Sequence, residues 1–259
     1  MMWLAGSAML GHSDFKMRIA ALYDIHGNLP ALEAVLGEIR ETGADQIVVG
    51  GDVLPGPMPA ATLDCLMALE IPARFLYGNG EIAVLEQLDG RDPAQVPEAY
   101  RPVIRWNAEQ LSPAQQNELR SWPKVIRLND VLFCHATPRD ENECFTDLTA
   151  ENLLLPVFAG VDAPLVVCGH THMQFDRRIG KTRVVNAGSV GMPFGSAGAD
   201  WLWIDGDVQL RHTDYDLSRA AERVRATNYP GADEFAARHI LNPPAAAEML
   251  QAFTNVHFK

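Results

Sequence analysis

Seven side chains of metal-binding type stand just after short apolar runs. They are Asp24 and His26 after IAALY, Asp52 after QIVVG, Asn79 after ARFLY, His135 after VLFC, and His170 and His172 after LVVC. Mixed oxygen and imidazole donors suit Mn, Fe, Co, Ni or Zn better than calcium, whose ligands are mainly oxygen. Taken singly, each motif is ordinary. A Gly-Asp or Gly-Asn after a strand is commonly a turn, and one His-x-His arises readily by chance among 8 histidines. Turn chemistry does not place histidines after several separate buried strands, however, so the set points to metal.

These donors exceed what one tetrahedral ion takes. With Asp52 shared, they divide into two sets of four, leaving room for a water or hydroxide between ions about 3.5–4 Å apart. Asp24 and His26 are two residues apart, as are His170 and His172. In an extended chain that spacing puts each pair on one face. Two divalent ions and two carboxylates leave about two positive charges, enough to attract a phosphate anion to an acidic chain.

The elements that must position these groups follow a βαβ grammar. IAALY at 19–23, QIVVG at 46–50 and ARFLY at 73–77 alternate with LPALEAVLGEIRETG and a helical stretch through Leu63 to Leu69. Crossovers of that length imply parallel strands covered by helices. The ligand crevice of an open α/β sheet lies beyond the carboxyl ends of its strands, where residues distant in sequence can meet. Residues 97–121 read as amphipathic helix, with Pro102 and Pro113 in first turns or breaks. Strand-like runs follow at 124–128, 131–134, 165–168, 182–186 and 201–204, and Asp205-Gly206 before DVQLRH reads as a hairpin turn. From Leu217 the pattern is helical, broken at Pro230, Pro243 and Pro244. With no internal repeat or long linker, one domain over 17–259 is expected, with 217–259 as a helical tail. Residues 1–16 read as a loose leader and Met17 as a natural start.

A composition of 47% hydrophobic and 21% charged residues excludes disordered, collagenous and coiled-coil chains. The net charge of -12 opposes a general nucleic-acid binder or a basic membrane-surface protein. Four cysteines with no CxxC pair indicate neither a disulfide framework nor a zinc module, and a reducing cytoplasm is the simpler home. Cys134 and Cys168 read as small apolar packing residues. No apolar run approaches the roughly 20 residues that span a bilayer. The opening MMWLAGSAML lacks the basic start of a signal peptide. Oligomeric state is not legible.

The series DIHGN, GD, GNGE, CH and GHTH resembles the calcineurin-like metallophosphoesterase superfamily, and MRIAALYDIHGNLPALEAVL is similar to its small bacterial, phosphodiesterase-type branch. The resemblance spans residues 17–212. It implies an α/β fold, a four-layer αββα sandwich of two mixed β-sheets flanked by helices. It further implies one metal on Asp24, His26, Asp52 and His172 and a second on Asp52, Asn79, His135 and His170, with manganese the first candidate. The implied reaction is hydrolysis of a phosphoester substrate by a hydroxide held between the ions, with no covalent enzyme intermediate.

The chain departs from the family at Gly80, where a His usually follows the Asn. That His is credited with assisting the leaving group or a phosphate oxygen, help worth about 10² to 10⁴ in rate. Beside Asp52 and Asn79, Glu81 is the remaining candidate catalytic group, with a structural role as its alternative. Asn28, two residues past His26, and Arg139, in HATPRDENE after His135, are candidate substrate contacts. Their alternatives are a turn residue and a surface ion pair. His12, His212, His239 and His257 fall outside the constellation and need no functional explanation. The expected substrate is a small or nucleotide-type phosphodiester ahead of a monoester. Hydrolysis of a dinucleoside polyphosphate or a phosphoprotein, and a non-catalytic scaffold of the same fold, are the alternatives.

Overall fold

Alternation of side chains decides the layers. In β1 (Ile19–Leu22) every residue is buried, yet the two faces belong to different cores. Ile19 and Ala21 pack with Phe133, Val167, Val185 and Leu202, whereas Ala20 and Leu22 pack with Leu32, Val35 and Leu36 of a helix. A strand apolar on both faces must be covered on both. The computed structural model describes residues 17–254, so the expected leader, His12 and His257 lie outside it.

One sheet runs in the order β10-β9-β1-β2-β3. In it β2 (Gln46–Val49) and β3 (Ala73–Phe75) continue β1 in parallel, while β9 (Ala199–Asp205) and β10 (Asp207–Thr213) are antiparallel. The turn between these last two is Asp205-Gly206, as expected, with Gly206 at φ 70°. The other sheet runs β4-β5-β6-β8-β7. Its parallel centre is β5 (Val131–Cys134), β6 (Leu165–Cys168) and β8 (Thr182–Asn186), with β4 (Val125–Leu128) and β7 (Phe175–Ile179) antiparallel at the edges. Residues of both sheets share the central core.

Helices α1 (Leu29–Thr42), α2 (Pro59–Met67), α3 (Asn79–Leu88), α4 (Arg101–Gln110) and α5 (Pro113–Ser121) cover the first sheet; α6 (Glu151–Phe158) covers the second. The result is the expected αββα sandwich. Pro102 and Pro113 do sit in first turns, and Ser112 caps α5 in a box with Gln115. Cys134 and Cys168 pack in the core beneath α6.

Three elements were not legible in the pattern, α3 among them. Strand β7 reads FDRRI because an edge strand can expose charges such as Asp176 and Arg178, which also discourage edge pairing. Helix α6 carries Pro156 within it. Beyond the sandwich come α7 (Leu217–Arg225), α8 (Ala232–Phe235), a π turn over Ala236–Leu241, and α9 (Ala246–Thr254). Their small core of Ala221, Val224, Phe235 and Ile240 packs against Met58 and Met192 near the strand ends. No helix among the described residues is long and apolar enough to cross a membrane.

Candidate metal centre

All seven donors lie in the segments that follow β1, β2, β3, β5 and β6. The extended backbone expected for the two spaced pairs is corrected by the structure. Asp24, His26, Asp52, His170 and His172 have φ of 52, 47, 50, 68 and 58°, the left-handed region that non-glycine residues seldom occupy. Turns, not the pleat of a strand, therefore aim these side chains. Asp24 and His26 still meet, but His172 joins them while His170 joins Asp52 and His135. Such backbone costs about 1–3 kcal/mol per residue and persists only where the surroundings hold it. Here the first two loops are woven together, Asp24 N donating to Gly51 O (3.1 Å), His26 N to Asp52 O (2.9 Å) and Gly27 N to Val53 O (2.8 Å). Asp24 Oδ2 also accepts from His170 N at 2.8 Å.

Backbone carbonyls orient three of the imidazoles. His26 Nδ1 pairs with Pro55 O (3.1 Å), His135 Nδ1 with Gly50 O (2.9 Å) and His172 Nδ1 with Met192 O (3.0 Å). A neutral ring has one N–H; with that proton on Nδ1 facing the carbonyl, Nε2 keeps its lone pair for a metal. Nε2 of His26 and of His172 then face each other at 3.2 Å, and Nε2 of His135 faces Asn79 Oδ1 at 3.1 Å. Asp24 Oδ1, 3.4 Å from His172 Nε2, is buried without a hydrogen-bond partner among the described residues, as is His170 Nδ1. His170 Nε2 instead lies 3.1 Å from the Cys144 thiol, a neighbour no sequence signal announces. Asp52 sits between the groups, Oδ2 3.8 Å from His26 Nε2 and Oδ1 3.5 Å from His135 Nε2. Converging lone pairs in a buried site repel unless positive charge lies among them.

The carboxylates favour that charge. Burial opposes a charged His135, but Asp52 and Asp24 outweigh it and push the ring up to about 10. Burial, then the neighbouring His135, holds His170 at about 4. Burial also opposes ionised Asp24, yet His172 and His135 outweigh it and keep the carboxyl below its usual range.

A family model for the calcineurin-like phosphoesterase superfamily domain matches residues 17–206. The chain belongs to that superfamily. This calcineurin-like phosphoesterase is 28% identical to Phosphodiesterase YfcE of Escherichia coli over 208 residues, 74% of this chain and 89% of the relative. An uncharacterized protein of Methanocaldococcus jannaschii is 26% identical over 240 residues, 83% of this chain and 95% of that protein. A solved metallophosphoesterase from Sphaerobacter thermophilus shares the fold, with TM-score 0.70, 24% identity, and coverage of 86% of this chain and 99% of that one. Membership and the phosphodiesterase relative support hydrolase activity in a family that uses divalent metals, and two groups of this chain's side chains could hold them.

The other three candidates, Glu81, Asn28 and Arg139, have their polar atoms in hydrogen bonds within the fold, the alternative each carried. Glu81 is fully buried, and both its oxygens are engaged. Oε2 accepts from Asp52 N (2.8 Å) and Gly78 N (2.7 Å), and Oε1 from Leu54 N (2.9 Å). It clasps the Asp52 loop to the start of α3 instead of facing a substrate. Burial, then the charge of Asp52, pushes its carboxyl up to about 7 against the pull of those amides. Asn28 caps α1 through Ala31 N (3.3 Å) and donates to Gly191 O (2.9 Å), so its polar atoms are spent on the fold. Exposed Arg139 donates to Glu143 Oε1 at 2.8 Å and is not among the residues lining the cavity at the centre. That cavity, about 320 Å³, opens from His26, Asp52 and Asn79 toward Val96, Tyr100 and Phe235. His239, set aside on sequence, lines it too.

Proposed function

We propose that the centre hydrolyses a phosphoester with the help of two divalent transition-metal ions, manganese first among them. A small or nucleotide-type phosphodiester is the favoured substrate. Asp24, His26 and His172 would hold one ion and Asn79, His135 and His170 the other, with Asp52 shared. The observation that carries the reading is the convergence of ligand atoms, above all His26 Nε2 against His172 Nε2 at 3.2 Å beside the unpartnered Asp24 Oδ1. Buried polar atoms without partners are rare in proteins, and this cluster has the donor chemistry of first-row transition ions. When bound, such ions supply Lewis acidity, lowering the pKa of water and neutralising developing phosphoryl charge.

The chain's own residues supply the preorganisation. The carbonyls of Gly50, Pro55 and Met192 fix three rings with Nε2 inward, as outer partners of metal-binding histidines do. Gly80 N donates to Asp52 Oδ1 at 2.7 Å, and the Glu81 clasp holds the loop behind it. Asp24 and Asp52 are the two carboxylates among the donors, so two dications leave about two positive charges at the mouth. That local charge draws a phosphate ester despite the chain's net -12. The apolar side of the cavity suits an organic substituent on phosphorus, which favours a diester or nucleotide over inorganic phosphate.

The test is reconstitution. Chelator-stripped protein is reloaded with Mn, Fe, Co, Ni or Zn, its metal content is measured, and it is assayed on bis-p-nitrophenyl phosphate and p-nitrophenyl phosphate. Two ions per chain and faster turnover of the diester are expected. A chain carrying two ions that hydrolyses neither ester, nor any nucleotide or phosphopeptide, would leave the scaffold reading in its place.

A further inference from the structure

Position 80 has no room for a side chain. A Cβ there would fall 2.0 Å from Leu54 O and 2.9 Å from Pro55 Cδ. Leu54 and Pro55 are held in place from both sides: Leu54 N donates to Glu81, Gly56 N donates to Asn107, and Pro55 O accepts from His26 Nδ1. The backbone that orients His26 therefore occupies the space a residue-80 side chain would need. Any imidazole serving the substrate would come from elsewhere in the chain.

His239 is such an imidazole. It lies beyond residues 17–206, the span of the family domain, yet lines the cavity together with His26, Asp52 and Asn79. Its helix is widened into a π turn, with Asn242 N donating to Ala237 O, five residues back, at 3.0 Å. Turns of this kind recur at functional sites because one extra residue re-aims the side chains around it. Phe235, Ala236 and Ile240 stay in the tail's apolar core, while the His239 ring, 5.2 Å from that of Phe235, faces the cavity. Its Nδ1 is buried with no partner among the described residues. His26, His135 and His172 each spend Nδ1 on a carbonyl and show a lone pair inward; His239 has no such carbonyl, so nothing commits it to a metal-binding tautomer. The ring is free to present an N–H. Burial, then His26 and His172, holds it at about 4.

We propose that His239 is a catalytic residue of this chain, brought in by the tail, which donates a hydrogen bond from its ring to the phosphoryl group of the bound phosphoester. This rests on the phosphoesterase reading above.

The test compares the full chain with His239→Ala and His239→Phe, the latter keeping the ring's volume against Phe235 while removing both nitrogens. His212→Ala is the control. Zinc-loaded proteins are titrated calorimetrically with inorganic phosphate. Manganese-loaded proteins are assayed on aryl phosphodiesters of graded leaving-group pKa. Both His239 variants should keep two ions per chain and bind phosphate about tenfold more weakly. They should lose about 100-fold or more in kcat/KM, the loss of one donor to the charge developing on the phosphoryl oxygens. Unchanged phosphate affinity in a folded, metal-loaded His239→Phe protein overturns the proposal, as does loss of metal from it. Wild-type protein that binds phosphate through His239 but turns over no ester sinks the phosphoesterase reading and the catalytic role with it, leaving His239 as a phosphate contact only. Wild-type turnover that survives His239→Phe within threefold sinks the His239 proposal alone.

Discussion

Gly80→Ala is the smallest change that probes how the centre is built. The added Cβ would lie 2.0 Å from Leu54 O. A carbon and a carbonyl oxygen settle no closer than about 3.3 Å, so the Leu54-Pro55 backbone must move by about 1.3 Å or α3 must back away. Overpacking of this kind costs about 1–3 kcal/mol. At about 2–4 °C per kcal/mol for a chain near this size, Tm should fall by roughly 2–12 °C. The movement carries Pro55 O away from His26 Nδ1, a contact now at 3.1 Å. Losing the outer partner of a metal-binding histidine weakens affinity by about 10- to 100-fold. The loss should fall on the Asp24, His26 and His172 group, leaving the His135 and His170 group nearer wild type. Scanning calorimetry and competitive metal titration read the two effects separately. A Gly80→Ala protein with wild-type Tm and two wild-type affinities would refute both the close approach and the role given to Pro55.

Asp52→Asn should lower metal content from two ions to one or none and abolish turnover, because one carboxylate lies 3.5 Å and 3.8 Å from rings of both groups; full metal content with unchanged kcat, by elemental analysis and assay, would contradict the shared position. Glu81→Gln keeps one acceptor oxygen for Asp52 N and Gly78 N but turns an amide toward Leu54 N–H, so it should cost about 1–3 kcal/mol in denaturant unfolding, and a protein of wild-type stability would show that the clasp holds nothing. His212 Nδ1 lies 2.7 Å from Asp200 Oδ1; burial opposes its charge, but Asp200 outweighs it and raises the ring, while burial also keeps Asp200 above its own usual value. A raised histidine contributes in full below its unfolded value of about 6.5 and loses that contribution as pH climbs through the folded value. The Tm deficit of His212→Gln should therefore be largest near pH 6 and shrink toward pH 9, and a deficit that stays constant across that range would remove the linkage.

Much of the fold was legible because buried strands declare themselves locally. β5 and β6 are four-residue apolar runs followed at once by His or Gly, and β1 and β2 are buried runs that reach Asp or Gly within two residues, a pattern that packing on both faces favours. β7 escaped because its outward residues are charged, and α6 because Pro156 interrupts its signal. Among the candidate site residues, the donor types and their places after strands were readable, whereas Asn28 and Arg139 were candidates by proximity in sequence alone. Their hydrogen bonds to Gly191 and Glu143 depend on where other segments lie.

The order of residues determined which chemistry was present: carboxylates, imidazoles and an amide at the ends of parallel strands that hydrophobic burial forces into the middle of sheets. Tertiary structure alone decided what each group does. The carbonyls of Gly50, Pro55 and Met192 choose the tautomer of three rings, the path of Leu54 and Pro55 closes position 80, and a π turn in the tail carries His239 to the cavity. Residue type and periodicity act over a few positions of chain. A hydrogen-bond partner or a shared cavity is set by distances between segments that only packing brings together.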